Sequence, residues 1–451
     1  MSPTTRLATL LLTLASLGVL ACDKTVDVPS GDLSDHVTGV TATIHDELGS
    51  VVVVSWEQLD ERSGWVEYSF DAGEWLTSPE LELASGDQEQ ILLGIPYGTD
   101  VSLRLVNSLD EGPVASTEVS IATDRLPGSI SSPTMISADT EQYDPDTPYL
   151  LVALWDWTVV VDREGRVVWA LEVPAFRGAM QSQPSYDHST LLIDHGSFWA
   201  IFDGGEASQV IRVKIDGTVL QTYDTPGLHH PFTEIADGSI VWSAIDGGNE
   251  TLEKLTPAGE QQRIASCHAL LGSYGDKGYC GSNTIRWRES TDSFLYSLYS
   301  HDTVFEVDHA TGQALRSFGH HDDAWDFDPP SSAFWWQHGG HYTEAGTLIT
   351  SSYRADEDDE LVVREYELDE QTRTLTEIWS FGEGQGIHAE TMGEVHRLPG
   401  GNTLHNYGSG ARLREVTPEG EVVWDLNWDG LDADGELGRS TPLEDLYAFA
   451  P

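Results

Sequence analysis

Basic residues are scarce in this chain. Its 451 residues carry 23 lysines and arginines against 75 aspartates and glutamates, a net charge of −52 at pH 7. A field of that sign repels phosphate backbones and anionic bilayer surfaces, so neither nucleic acid nor a membrane surface is expected as a partner. The acidity fits a hydrated surface in a salty medium. Cysteine occurs three times, and apart from an N-terminal run no segment is apolar enough to cross a membrane. Between residues 36 and 124 no stretch has helical period. No motif for Ser-His-Asp catalysis or for a phosphate-binding loop is present.

What is there begins at the N-terminus. "TRLATLLLTLASLGVLAC" has one arginine, an apolar run too short for a bilayer, and small residues leading to Cys22. It resembles a bacterial lipoprotein signal. The resemblance implies cleavage after residue 21, lipidation of Cys22 and a mature chain anchored in the cell envelope, with residues 22–35 as a polar tether. Cys267 and Cys280 both fall in one glycine-rich loop, where export to an oxidising compartment permits a disulfide. Only His268 is near them in sequence, which argues against zinc. The acidic run Asp429–Glu436 ("DGLDADGE") is a weak calcium-loop candidate without EF-hand spacing.

From 36 to 124 short runs alternate apolar and polar residues between turn signals, as in "SVVVVSWEQ" and "GWVEYSFD". This pattern predicts a β-sandwich. Trp56 and "LLGIPYGTDVSLRLVN" resemble a fibronectin type III module.

From 130 to 451 the chain repeats. Six stretches share a hairpin pattern with an acidic or proline-containing turn, among them "TVVVDREGRVVWAL", "VIRVKIDGTVLQTY" and "LREVTPEGEVVWDL". Turn glycines fall at 165, 217, 259, 312 and 420, with Thr372 at that place in the fifth unit. A second hairpin precedes most of them, and intervals of about 50 residues match four-stranded propeller blades. The expected fold is therefore all-β: a sandwich followed by a six-bladed β-propeller, with "LEDLYAFA" as a candidate for the strand that closes the ring.

His230 lies ten residues before Ile240, and His338 ten before Leu348; the same offset reaches Gln181 and Glu394. In a propeller this position enters the innermost strand, so two histidines from different blades converge on one mouth of the channel.

The stretches "LHHPFTEIADGSIVW", "GSNTIRWRESTDSFLYSLYSHDTVFEVDHATGQALRSFG", "FWWQHGGHYTEAGTLI" and "MGEVHRLPGGNTL" resemble the bacterial arylsulfate sulfotransferases, exported six-bladed propellers. The resemblance implies transfer of a sulfuryl group from a phenolic sulfate ester to an acceptor phenol through a histidine, without cofactor or metal. His338 is the nucleophile it implies. His229 or His230 matches the family's "HH" motif, and the repeat offset favours His230. The chain departs from the pattern twice: Gly281 stands where the family has a histidine, and Tyr299 where it has an arginine. Arg354, Asn283, Tyr299 and His341 are candidates to bind the sulfate oxygens, with Phe198, Trp199 and Phe334 to Trp336 as candidate walls for an aromatic ring. The alternative is a propeller that has lost turnover and binds a ligand or protein at the same mouth.

Overall fold

The computed structural model describes residues 28–450, except 72, 175–177, 197–207, 248, 274–277, 357 and 429–436. Cys22, Phe198, Trp199 and the Asp429–Glu436 run lie outside the described residues, as does the side chain of His230.

The N-terminal part is a sandwich of two antiparallel sheets. One is made of Val37–Ile44, Val52–Gln58 and Gly86–Leu92; the other is centred on Arg62–Phe70 and Asp100–Leu109. Alternation sets its inner face: Val52, Val54 and Trp56 on one sheet meet Val66, Leu103 and Leu105 on the other. Residues 28–35, expected within a tether, lie against this domain. Val28 and Leu33 are buried, because each has an apolar pocket to fill, and Ser30 bridges to Ala115. The packing of the sandwich thus includes residues before 36.

Six sheets of four or more strands follow, one per repeat, antiparallel throughout except that the short outer strand Asp326–Asp328 pairs parallel with Thr374–Phe381. The hairpins with acidic turns form the outer strand pairs. Turn glycines 165, 217, 259, 312 and 420 have φ between 66° and 87°, a left-handed conformation that glycine adopts without steric cost. In the fifth unit that conformation falls on Arg373 rather than Thr372. The ring is closed by Leu437–Leu443, which pairs with Tyr149–Leu154 as the innermost strand of the first blade. "LEDLYAFA" instead forms a 3-10 turn at Tyr447–Phe449 whose Leu446 and Phe449 are buried.

A recurrent tryptophan joins one blade to the next. The indole N–H of Trp169 donates to Ile215 O at 2.8 Å, Trp379 to Pro418 O at 2.8 Å, and Trp424 to Arg163 O at 2.8 Å. Each acceptor lies two residues before a turn glycine of the following blade, so the same sequence position does the same work three times. The third contact crosses the seam between the last blade and the first.

The two domains share a core. Leu48, Val51 and Leu93 of the sandwich pack with Val168, Trp169, Leu446 and Phe449 of the propeller. Ser50 Oγ donates to Val168 O at 2.8 Å, and Leu93 N donates to the Tyr447 hydroxyl at 3.2 Å.

Candidate active site at the entry of the inner strands

Six inner strands run along the channel; Glu394 opens one, Gln181 lies just before another, and His230 and His338 are the third and fourth residues of theirs. His338 belongs to Trp335–Tyr342, whose register shifts on both sides of it. Two backbone features make this kink. Trp336 has φ 52°, a left-handed conformation unfavourable for a bulky residue, and Gly339 has φ 62°. A Cβ at Gly339 would lie 2.7 Å from the Cα of Glu394 on the neighbouring inner strand, so only glycine permits this approach.

The kink orients the imidazole. His338 Nδ1 stands 3.0 Å from the Trp336 carbonyl, which can only accept, so Nδ1 carries the proton and the lone pair is on Nε2. His338 is 5% exposed. Burial, then the neighbouring charge of Arg439, push its pKa down to about 3, against the opposing hydrogen bond to Trp336. The ring is therefore neutral at physiological pH, the state a nucleophilic nitrogen requires. Trp336 N donates to Asp302 Oδ1 at 2.7 Å, which fixes the strained residue from its other side.

Tyr299 and Trp336 are brought to His338. The Tyr299 ring lies 4.9 Å from the imidazole, edge-on, and 4.8 Å from the Trp336 ring. Asn283 is committed to the scaffold: its Nδ2 donates to Gln337 O at 2.7 Å and so holds the peptide next to His338. Gly339 N donates to Thr284 Oγ1 at 2.9 Å. Phe334 is fully buried core, whereas Trp335 and Trp336 are partly exposed. Arg354 is held by Asp358 and by Glu360, the latter at 3.3 Å. His341 lies further along the same strand, past the kink, with Nδ1 3.2 Å from Gly339 O.

His229 lies two blades away from His338, on Leu228–Glu234, with the inner strand Ser282–Arg288 between them. Its Nε2 is 2.8 Å from the Tyr279 hydroxyl, and its Nδ1 is 3.7 Å from Glu250 Oε2. Burial raises the Tyr279 hydroxyl pKa well above the ordinary value, helped by the nearby Glu250 and Tyr299. Tyr279 thus stands between the His229 and Tyr299 sides of the mouth. Gly281 has φ 58°, a left-handed conformation that disfavours a side chain, and a Cβ there would meet the Ser300 hydroxyl at 2.6 Å and the Tyr279 ring at 3.3 Å. Tyr279 follows from the disulfide: Cys267 and Cys280 are joined, and their loop carries it to His229.

Two groups that sequence reasoning missed lie at the heart of the channel. Arg439 and Arg286 both bind the buried carboxylate of Glu394, Arg439 Nη1 at 3.0 Å. Ser440 N donates to its other oxygen at 3.0 Å. Burial would raise the Glu394 pKa, but Arg439, His396 and Arg286 hold it far below the usual carboxylate range. Arg439 Nη2 also reaches Thr284 Oγ1 at 3.2 Å, which links this cluster to the strand of His338. Arg439 sits on the ring-closing strand, two inner strands beyond that of His338, and it does not share the repeat position that singled out His338 and Glu394. Glu394 was reachable, because it shares the repeat position.

Among the described residues, close trios of metal-ligating side chains occur at Cys267, Cys280 and His301, where the two thiols are already bonded to each other, and at Asp358, Asp359 and His388 near the surface. Neither includes His338 or His229.

No family model matches the chain, and no curated protein does. Solved structures do resemble it at low identity. A protein of unknown function from Bacteroides caccae aligns at 14% identity and TM-score 0.46, covering 66% of this chain and 100% of its own. A streptogramin B lyase aligns at 12% and 0.41, covering 69% and 97%. A candidate 6-phosphogluconolactonase from Bacteroides fragilis aligns at 13% and 0.39, covering 67% and 99%.

Proposed function

We propose that the protein is an exported, lipid-anchored sulfuryl-transfer enzyme of the arylsulfate sulfotransferase type, with His338 as nucleophile. One observation carries the reading: His338 is a buried, neutral imidazole whose Nδ1 proton is fixed on the Trp336 carbonyl, beside the Arg439 guanidinium. In the proposed reaction the Nε2 lone pair forms a bond to sulfur as the sulfur–oxygen bond to the donor breaks, and the phenolate leaves with the electron pair. The acceptor oxygen then attacks sulfur, the nitrogen–sulfur bond breaks, and the acceptor proton passes to His230. Tyr299 and Trp336 provide ring faces for the phenols. Arg439 is the cation nearest in effect to His338, and it supports the equatorial oxygens in place of the arginine that Tyr299 replaces.

A second reading, ligand binding without turnover, is favoured by Gly281 and Tyr299 and by the ion pair that already engages Arg439. The two readings separate on incubating the mature protein with 4-nitrophenyl sulfate, with and without phenol, beside His338→Ala. Acceptor-dependent release of nitrophenol, together with a sulfuryl adduct on the intact protein that the variant lacks, supports the enzyme. Absence of both with several aryl sulfates leaves the binding propeller.

A further inference from the structure

The inner strands that pass His338 end, further along the channel, around a cavity of about 500 Å³. Inner strands of all six blades contribute to it. The Glu394, Arg439 and Arg286 cluster stands between this cavity and His338, so the two mouths are chemically separate.

The cavity is basic in a protein that is otherwise strongly acidic. Arg286 and Arg288 line it, and Glu234, the one carboxylate lining it among the described residues, is neutralised by Arg212. Arg286 is committed to Glu394, but Arg288 is not comparably engaged. Its ion-pair partner among the described residues is Glu306 at 3.8 Å, beyond hydrogen-bonding distance. That carboxylate already accepts from Ser293 Oγ at 2.8 Å and from the Tyr342 hydroxyl at 2.9 Å, and lies 3.3 Å from Arg316. The Arg288 guanidinium is stacked over the Tyr342 ring at 4.3 Å, and its side chain stays 30% exposed. Stacking holds the guanidinium plane in place without using its N–H groups. Beside it Trp287 and Tyr186 meet edge to face at 5.7 Å, at the rim.

A positioned guanidinium lacking a hydrogen-bonded carboxylate, next to two aromatic rings, matches one ligand chemistry. We propose that this far mouth is a second ligand site, taking a small aromatic carboxylate or sulfonate, with its anionic group on Arg288 and its ring against Trp287 and Tyr186. The proposal is independent of turnover at His338. Distant surface charge opposes the approach of an anion, but salt screens it within about 8 Å, so the local cation decides binding.

The test is titration calorimetry of the mature protein with 2-naphthoate, against the uncharged 2-naphthalenemethanol. One 2-naphthoate is expected per chain. Its binding should weaken about tenfold or more in Arg288→Gln, as loss of a charge-assisted hydrogen bond implies. It should weaken in Trp287→Leu, fall with added salt and remain unchanged in His338→Ala. Arg288→Lys, which keeps charge but not the stacked plane, should be intermediate, and it serves if the glutamine variant does not fold. Equal binding of the alcohol, wild-type affinity in Arg288→Gln, loss of binding in His338→Ala, or no binding at millimolar 2-naphthoate would each overturn the proposal.

Discussion

Arg439 Nη1 stands 3.0 Å from Glu394 Oε1, and this pair joins the chain's last inner strand to the inner strand of the sixth blade. Both side chains are buried, at 4% and 1% exposure, so the pair lies where water does not screen it. It is at once a seam of the ring and the source of the positive charge beside His338.

Removing one partner of such a pair leaves the other charged and buried. Arg439→Met should therefore cost about 3 kcal/mol in urea unfolding, at the lower end for buried pairs because Arg286 still binds Glu394. Arg439→Lys should recover part of that. A midpoint unchanged from wild type in the methionine variant would contradict the structural role.

Gly339→Ala introduces a Cβ 2.7 Å from the Glu394 Cα at a left-handed backbone position. A cost of about 2–4 kcal/mol is expected. Gly346→Ala is the control, since it has φ 83° but nothing within 4 Å of the new Cβ. It should cost only about 1 kcal/mol. Equal losses would mean the approach of the two inner strands is not tight.

The disulfide closes a loop with a sequence separation of 13. On loop-closure entropy, replacing both Cys267 and Cys280 with serine should lower stability by about 3 kcal/mol. The same change loosens the loop that holds Tyr279 on His229, and any turnover should fall with it. Thermal unfolding with and without a dithiol reductant gives the first comparison directly.

His405 is buried, with Nε2 2.9 Å from Ser351 Oγ, and burial followed by the charge of Arg414 pushes its pKa down to about 3. Below an unfolded pKa of about 6.5 the unfolded chain binds a proton that the folded one refuses, so stability falls as pH falls. The loss approaches about 1.4 kcal/mol per pH unit between roughly 6 and 3. Asp194, raised to about 7 by burial, works in the opposite direction over part of that range. The wild type is therefore compared with His405→Gln, in which the acid dependence should be shallower by that amount. Parallel curves would reject the assignment.

At the seam, Trp424→Phe keeps the ring packing but removes the N–H that donates to Arg163 O. The buried carbonyl is left without that donor, so a loss of about 1–2 kcal/mol is expected in chemical denaturation.

The repeat was legible in the sequence because each blade builds the same hairpins from contiguous residues. Period-two alternation placed the strands, and turn glycines marked the outer hairpins at 165, 217, 259, 312 and 420. The tryptophans were visible as residues but not as latches, since Trp169, Trp379 and Trp424 find their acceptors on the next blade. Closure was misplaced by a few residues: the apolar content of "LEDLYAFA" serves the boundary with the sandwich, while the less apolar Leu437–Leu443 pairs as a strand.

By itself, the sequence determined what depends on local order: an all-β chain, a sandwich before a propeller, and a histidine on an inner strand. It also carried the chemistry of the loop that joins Cys267 to Cys280. Only tertiary structure decided what surrounds His338. Its tautomer follows from the Trp336 carbonyl, turned onto it by a left-handed residue, and its neutrality from burial and from Arg439. Arg439 arrives from the inner strand two blades further along the chain, because the inner strands of a ring all face one channel. The repeat fixes which strands line that channel, but which side chains meet across it depends on how far each strand is advanced and turned, and that is set by packing and not by the period.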